Sequence, residues 1–233
     1  MHRPSNISGD IRPAHPKSRP HHALIITASA QGQDSVSSSL ATSFADAHQA
    51  NGGTLDWRDL SETPPPPLNA DFVEGAFTRP EKRSDAMRAA LAYSDREIAA
   101  LKAADLLVIA APMYNFGVPA LLKGWFDQII RPNETFASTG NTENRYRGLV
   151  SLSDCLLITV RGSDAFAPAG PVAHWNFLDP HLDAMLALIG IEDAHRIDCS
   201  GVDDRPNERE ALVGAAARAV IAWANALPAT IAI

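Results

Sequence analysis

The sequence predicts an α/β fold: one doubly wound parallel sheet of five strands, in the order 2-1-3-4-5, with helices on both faces. Two observations predict it. Short apolar runs that suit buried strands alternate along the chain with longer segments whose apolar residues recur at helical spacing. The clearest unit combines an apolar run at residues 106–111, a short loop, and an apolar helical stripe from Val118 to Ile130 that Pro132 ends.

Composition limits the classes of protein that the chain can represent. Its 233 residues and 45% hydrophobic content allow one sizeable domain, which we expect at residues 22–233, after a polar, disordered tail at residues 1–21. The net charge of −7 argues against nucleic acid or an anionic membrane as a partner.

The sequence has no apolar run of about 18 residues and no apolar stretch at its start, so we expect a cytoplasmic protein. Cys155 and Cys199 fall in predicted strands and match neither a disulfide framework nor a metal site.

The turn after the first strand is rich in hydroxyl groups. The strand spans residues 23–28, and the next helix begins near Ser35. The hydroxyls of Ser29, Ser35 and Ser37, together with the free N–H groups of a helix start, suit a phosphate monoester. Ser35 is also a residue type that caps helices without any ligand. The turn has neither the Walker lysine nor the dinucleotide glycine pattern, which disfavours nucleoside triphosphates and a Rossmann-type NAD site.

The middle of the chain continues the alternation. A strand at residues 54–57 precedes four consecutive prolines, residues 64–67, which predict a stiff surface segment rather than a helix or an inner strand. Residues 71–80 show no periodicity and predict an irregular segment. A helical stripe then covers residues 84–104 and leads into the third strand.

The last third of the chain starts with a polar stretch at residues 133–148, which is typical of a functional or mobile excursion. A fourth strand at residues 156–160 follows it. The next helix is predicted to start with Asp179 as its cap and Pro180 at its first position. Two further elements close the chain, a strand at residues 195–199 and a helix over residues 213–227.

The loop after the third strand, residues 112–116, has an unusual composition. Tyr114 and Phe116 are large aromatic residues that lie outside both neighbouring apolar patterns, and Asn115 between them offers an amide donor and an acceptor. In open parallel sheets the ligand lies at such carboxyl-end loops. The two aromatic side chains therefore either face a flat ligand with polar edges or plug the end of the sheet.

The motif Pro112-Met113-Tyr114-Asn115-Phe116, followed by Leu122-Lys123 and Phe126-Asp127, resembles the FMN-dependent azoreductases. These enzymes belong to the flavodoxin-like family of NAD(P)H:quinone oxidoreductases. The stretch from Gly117 to Phe126 is similar to the quinone reductases of that family. The whole resemblance covers residues 22–226. It implies a flavodoxin-like fold with FMN as the cofactor.

The resemblance also implies which residues hold FMN. Ser29, Ser35 and Ser37 match the family's phosphate-binding serines, and Val36 stands where azoreductases often have a glutamine, so its contact would come from its backbone N–H. The flavin ring would lie against two loops, formed by Pro112, Met113, Tyr114, Asn115 and Phe116 and by Val160, Arg161 and Gly162. The family has serine-arginine-glycine-glycine in the second loop, where this chain reads Val160-Arg161-Gly162-Ser163 and lacks the first hydroxyl.

The activity implied by the resemblance is transfer of two electrons from NADH or NADPH to a quinone or an azo compound by a ping-pong mechanism. The flavin carries the chemistry, so no side chain is assigned as catalytic, and Asn115 and Arg161 are candidate assistants. The alternative is a flavodoxin-type electron-transfer protein without its own turnover; a third interpretation is a binding module that has lost its cofactor. Phe126 and Ile130 lie on the flank of the predicted helix, where they either anchor a subunit interface or pack under the polar stretch 133–148. The resemblance implies a homodimer.

Overall fold

A five-stranded parallel sheet forms the centre of the molecule. The computed structural model describes residues 18–143, 145–228 and 230–232. The sheet consists of β1 His22–Thr27, β2 Thr54–Asp59, β3 Leu106–Pro112, β4 Asp154–Arg161 and β5 His195–Ser200. All neighbouring strands are parallel and their order is β2-β1-β3-β4-β5, which confirms the predicted topology.

Helices cover both faces of this sheet, as predicted. In the described part of the chain they are α1 Val36–Ala50, α2 Ala70–Phe77, α3 Asp85–Ala103, α4 Ala120–Ile129, α5 Leu178–Ile189 and α6 Arg209–Ala226. On one face, Phe44 of α1 and Val220 of α6 belong to the same buried cluster as Val108 of β3. The helices α3, α4 and α5 share the other cluster with Ile109 of the same strand.

The central strand β3 is buried on both faces. Leu106 and Val108 point towards α1 and α6, whereas Leu107 and Ile109 point towards α3, α4 and α5. This double burial explains the continuous apolar run at this position in the sequence. Because the five strands run in the same direction, the loops that follow them meet at one edge of the sheet.

The helix α2 was not predicted, and the expectation of an irregular segment over residues 71–80 was wrong. Asn69 caps the helix, because its Oδ1 accepts the Phe72 N–H at 2.8 Å. Phe72 is buried, and Gly75 allows close packing on α3: a Cβ there would lie 3.1 Å from Met87 Cβ and Leu91 Cδ1. A helix of eight residues is too short to show clear periodicity, and its tertiary contacts stabilise it.

The cap predicted for α5 was also wrong. Asn176 supplies the cap, since its Oδ1 accepts the N–H groups of Leu178 and Asp179 at 3.1 and 3.2 Å. Asp179 lies inside the first turn, where its carboxylate accepts hydrogen bonds from Arg161 and Arg196. The spacing of Asp179 and Pro180 could not reveal these distant arginine partners.

The polar stretch 133–148 contains an antiparallel pair of strands, Phe136–Ser138 and Tyr146–Gly148. Its base packs on the end of α5, where Gly148 approaches the backbone of Gly190 so closely that a Cβ would overlap it. Residue 144, which contributed to the sequence interpretation of this stretch, lies outside the described residues.

The aromatic pair Trp125 and Phe126 in α4 is fully buried. The two rings contact each other edge to face with centroids 5.2 Å apart, and both belong to the core beneath α3, α4 and α5. The expectation that Phe126 anchors a subunit interface was therefore wrong, because α4 is covered on its flank as well as on its sheet side. Ile130 is partly buried against the same core.

The predicted tail over residues 1–21 falls largely outside the described residues. Within them, a short strand at Ser18–Pro20 pairs antiparallel with Thr230–Ala232, and His21 is buried. This pairing places a small two-stranded sheet ahead of residue 22, where the domain is predicted to begin. No helix among the described residues is long and apolar enough to cross a membrane.

Candidate functional site

A cleft of about 240 Å³ lies at the carboxyl edge of the sheet. It is lined by residues from the loops after β1, β3, β4 and β5, together with the starts of α1 and α6. They are Ser29, Gln31, Ser35, Val36, Ser37, Pro112, Met113, Tyr114, Val160, Gly162, Val202, Asp203 and Arg209. Most of the residues predicted to bind the cofactor therefore share one cavity. Asn115, Phe116 and Arg161 do not line it.

The start of α1 combines a helix cap with one wall of the cleft. Ser35 is the N-cap, and its Oγ accepts the Ser38 N–H at 3.1 Å. The same hydroxyl lies 3.2 Å from the Ser37 hydroxyl. Ser29, Ser35 and Ser37 are buried among protein atoms, yet all three line the cleft. The capping and ligand interpretations of Ser35 are thus compatible.

Backbone donors add to these hydroxyls. The first turn of an α-helix leaves N–H groups without intrahelical partners and carries the positive end of the helix dipole. In α1 the Ser38 N–H is used by the cap, which leaves the N–H groups of Val36 and Ser37 at the cleft wall. This donor set matches a phosphate group and needs no lysine.

The loop after β3 forms a tight turn of four residues, 114–117. Tyr114 and Gly117 exchange backbone hydrogen bonds, with N···O distances of 3.0 and 3.3 Å. The two residues between them, Asn115 and Phe116, have positive φ angles of 47° and 70°. Two successive residues with positive φ are typical of a type I′ turn. The left-handed conformation is unfavourable for a bulky residue such as phenylalanine, and such strain is concentrated at functional sites.

The two aromatic side chains of this turn have different positions. Tyr114 lines the cleft, and its hydroxyl lies 3.1 Å from the hydroxyl of Ser29. Phe116 instead packs edge to face against Phe166 and Trp175, at centroid distances of 5.4 and 5.2 Å. Tyr114 and Phe116 remain 37% and 38% exposed, so neither side chain plugs the end of the sheet.

The segment from residue 164 to 177 covers the outer side of the turn. Besides the contacts of Phe166 and Trp175, the Phe177 N–H donates to the carbonyl oxygen of Phe116 at 2.8 Å. Trp175 and Phe177 themselves are half exposed. The strained turn is thus held from outside by an aromatic surface that continues away from the cleft.

The end of β4 presents its backbone to the cleft and turns its arginine away. The Met113 N–H donates to the Val160 carbonyl oxygen at 2.8 Å, and Val160 and Gly162 line the cavity. The Arg161 side chain is fully buried, donating from Nη2 to Asp179 at 2.6 Å and from Nη1 to Asp198. Burial lowers the pKa of the Arg161 guanidinium, although the Asp179 carboxylate opposes this shift. Its guanidinium is therefore not placed to assist a reaction in the cleft.

The sequence interpretation missed one side of the cleft, formed by Val202, Asp203 and Arg209. The Asp203 N–H donates to the Gly162 carbonyl oxygen at 2.9 Å, and a side chain at Gly162 would overlap the Asp203 carboxylate. The available signal was position alone, because Val202 and Asp203 follow a strand of the same parallel sheet. Gln31, in the loop after β1, also lines the cleft and was not predicted as a site residue.

The arrangement suits a mononucleotide with a flat head group. Hydroxyl and amide donors at the start of α1 match a phosphate, while Met113, Tyr114 and Val160 offer apolar surface in the same cavity. Among the described residues, no group of histidine, cysteine and acidic side chains could hold a metal ion.

Comparison with known sequences identifies relatives of the chain. A family profile described as flavodoxin-like fold matches residues 21–224. The FMN-dependent NADH:quinone oxidoreductase of Opitutus terrae is 37% identical over 172 residues, which cover 73% of this chain and 81% of that protein. The enzyme of the same name from Nostoc sp. is 34% identical over 208 residues, covering 86% and 98% of the two chains. The FMN-dependent NAD(P)H:quinone oxidoreductase 1 of Pseudomonas aeruginosa is 38% identical over 182 residues, covering 76% and 86%.

Solved structures show the same fold. The azoreductase from Bacillus anthracis str. Sterne aligns with a TM-score of 0.79 at 21% identity, over 89% of this chain and 100% of that one. An FMN-dependent NADH-azoreductase from Bacillus anthracis str. Ames Ancestor, in complex with FMN, aligns with a TM-score of 0.74 at 22% identity, over 88% and 100%. The chain belongs to the flavodoxin-like fold family, in which its relatives are FMN-dependent NADH:quinone oxidoreductases.

Proposed function

We propose that this protein is an FMN-dependent oxidoreductase that transfers two electrons from NADH or NADPH to quinones or azo compounds. The names of its relatives support this activity. The observation that carries the proposal is the single cleft that joins the hydroxyl-lined start of α1 to the loop around Tyr114. When bound, FMN would supply the redox chemistry, accepting a hydride from the nicotinamide and reducing the acceptor.

The residues of the cleft fit this cofactor. Ser29, Ser35 and Ser37, with the N–H groups of Val36 and Ser37, would hold the phosphate. Met113, Tyr114, Val160 and the backbone around Gly162 would support the ring system, and the strained turn would keep Tyr114 in position. Asn115 and Phe116 lie beside the cleft at the tip of this turn, where their backbone groups can border a bound ring.

The side chains of the cleft offer little for proton transfer. Among the described residues that line it, only Tyr114, Asp203 and Arg209 are ionisable. Arg161 is held outside the cavity by the carboxylates of Asp179 and Asp198. We therefore assign the protons that accompany reduction of the acceptor to solvent and not to a catalytic side chain.

Spectroscopy and turnover test the proposal together. The purified protein should show flavin absorption bands and should release FMN on denaturation. With NADH or NADPH and a benzoquinone, it should consume the nicotinamide much faster than the same concentration of free FMN does. A protein that retains FMN but shows no such turnover would instead be an electron-transfer flavodoxin, and a colourless protein that takes up no FMN would overturn the cofactor as well.

We also propose that the protein works as a cytoplasmic homodimer. Apolar side chains along α2 and the residues before it support a subunit interface, since Leu68, Val73 and Phe77 are 43%, 50% and 78% exposed. Cys155 and Cys199 are free and buried, as is usual in a reducing compartment. Sedimentation at catalytic dilution tests the dimer, which a fully active monomer would rule out; cell fractionation tests the location.

A further inference from the structure

Arg209 brings a positive charge to the cleft that the proposed function has not used. Among the described residues that line the cavity, Arg209 is the one with a cationic side chain and Asp203 the one with an anionic side chain. Arg209 is the first residue of α6, which packs beside α1 on the same face of the sheet. The starts of these two helices therefore border the same cavity.

The contacts of Arg209 leave most of its donors available. Its Nη1 donates to the Val202 carbonyl oxygen at 3.1 Å and to Asp203 Oδ1 at 3.0 Å. Within the described part of the chain, Nη2 and Nε have no protein partner. The side chain is 48% exposed, so the guanidinium can adjust its position without disrupting packing.

The charge balance of the cleft gives these donors a function. A phosphate monoester carries close to two negative charges at neutral pH. The serine hydroxyls and the N–H groups at the start of α1 are neutral donors, and the Asp203 carboxylate repels an anion. Arg209 offsets that carboxylate and can form charge-assisted hydrogen bonds with phosphate oxygens.

We propose that Arg209 is a phosphate-contacting residue that makes the cleft select FMN over riboflavin, and that Asp203 neutralises its charge until the phosphate binds. This inference rests on the proposed FMN site and adds to it the residue that recognises the charged end of the cofactor. Riboflavin shares the ring and the ribityl chain but lacks the phosphate, so comparing the two flavins isolates this contact.

Flavin titration of the apoprotein, followed by fluorescence, provides the test. Arg209→Gln should weaken FMN binding about tenfold, as expected for loss of a partly exposed charged contact, and should leave the riboflavin affinity unchanged. Arg209→Lys keeps the charge and should lose less than Arg209→Gln. Asp203→Asn should bind FMN at least as tightly as the wild type. Arg218→Gln, on the exposed side of the same helix, is the matched control and should bind both flavins normally.

Two outcomes would overturn the inference while leaving the proposed function intact. An equal loss of FMN and riboflavin affinity in Arg209→Gln would show that Arg209 shapes the cleft and does not contact the phosphate. Equal affinity of the wild type for the two flavins would show that the phosphate is not selected. A wild-type apoprotein that binds neither flavin would overturn the proposed function itself. The difference between wild type and Arg209→Gln should shrink as salt is added, and circular dichroism checks that each variant is folded.

Discussion

The hydroxyl of Tyr114 lies 3.1 Å from the hydroxyl of Ser29, and it accepts the N–H of Ala30 at 3.2 Å. This contact joins the loop after β3 to the loop after β1 across the cleft. The sequence suggested a ring contact for Tyr114 and a phosphate contact for Ser29. Their proximity means that the tyrosine also orders the loop that would hold the phosphate.

Removing the Tyr114 hydroxyl should therefore weaken cofactor binding without removing the aromatic surface. Tyr114→Phe loses hydrogen bonds to Ser29 and Ala30, so we expect FMN affinity to fall about three- to tenfold. Titration with FMN, followed by flavin fluorescence, measures this change. Tyr146→Phe, on the hairpin outside the cleft, is the control, and an unchanged affinity in Tyr114→Phe would show that this contact does not order the loop.

A carboxylate at Ser35 should abolish FMN retention while the fold persists. Aspartate caps helices as well as serine does and suits the helix dipole, so α1 should remain intact in Ser35→Asp. The new charge would occupy the space of the phosphate and repel it. Ser84→Asp is a matched control because Ser84 caps α3 in the same way, accepting the Met87 N–H at 3.2 Å. Normal FMN affinity in Ser35→Asp would place the phosphate elsewhere.

Arg161 should contribute to stability and not to the chemical step. Arg161→Met removes the buried cation that pairs with both Asp179 and Asp198, and we expect a loss of about 3 kcal/mol in the free energy of unfolding. Urea denaturation measures this loss, and Arg196→Met, which removes a more exposed partner of Asp179, should lose less. Turnover per bound FMN should stay near the wild-type value. A large fall in turnover at normal stability would show that Arg161 takes part in the reaction.

Cys155 should make the fold sensitive to alkaline pH. Burial raises the pKa of its thiol to about 12 from an ordinary value of 9.0, and Arg196 only partly offsets this effect. Between these values the native state keeps a proton that the unfolded chain releases, so the free energy of unfolding falls as pH rises above 9.0. Denaturation at a series of alkaline pH values should show a steeper fall for the wild type than for Cys155→Ala. Parallel curves would mean that other groups cause the alkaline loss.

The central strands were predictable because their burial leaves a local signature. Residues 106–111 are apolar without interruption, and the structure buries this strand on both faces. The helix α2 leaves no such signature, because it depends on the cap at Asn69 and on Gly75 packing against α3. Local patterns therefore indicated the sheet and its long helices, whereas a short helix stabilised by distant contacts was missed.

The sequence by itself determined the order of the sheet, because the alternation of strands and helices favours one parallel topology. Its resemblance to the azoreductases indicated most residues of the cleft. Only the tertiary structure decided where individual side chains point. It buried Phe126 in the core and turned Arg161 towards Asp179 and away from the cleft. It also brought Arg209 to the cavity that Ser35 lines, although the two residues are more than 170 positions apart in the sequence. These outcomes depend on packing between distant segments, which the local spacing of residues does not encode.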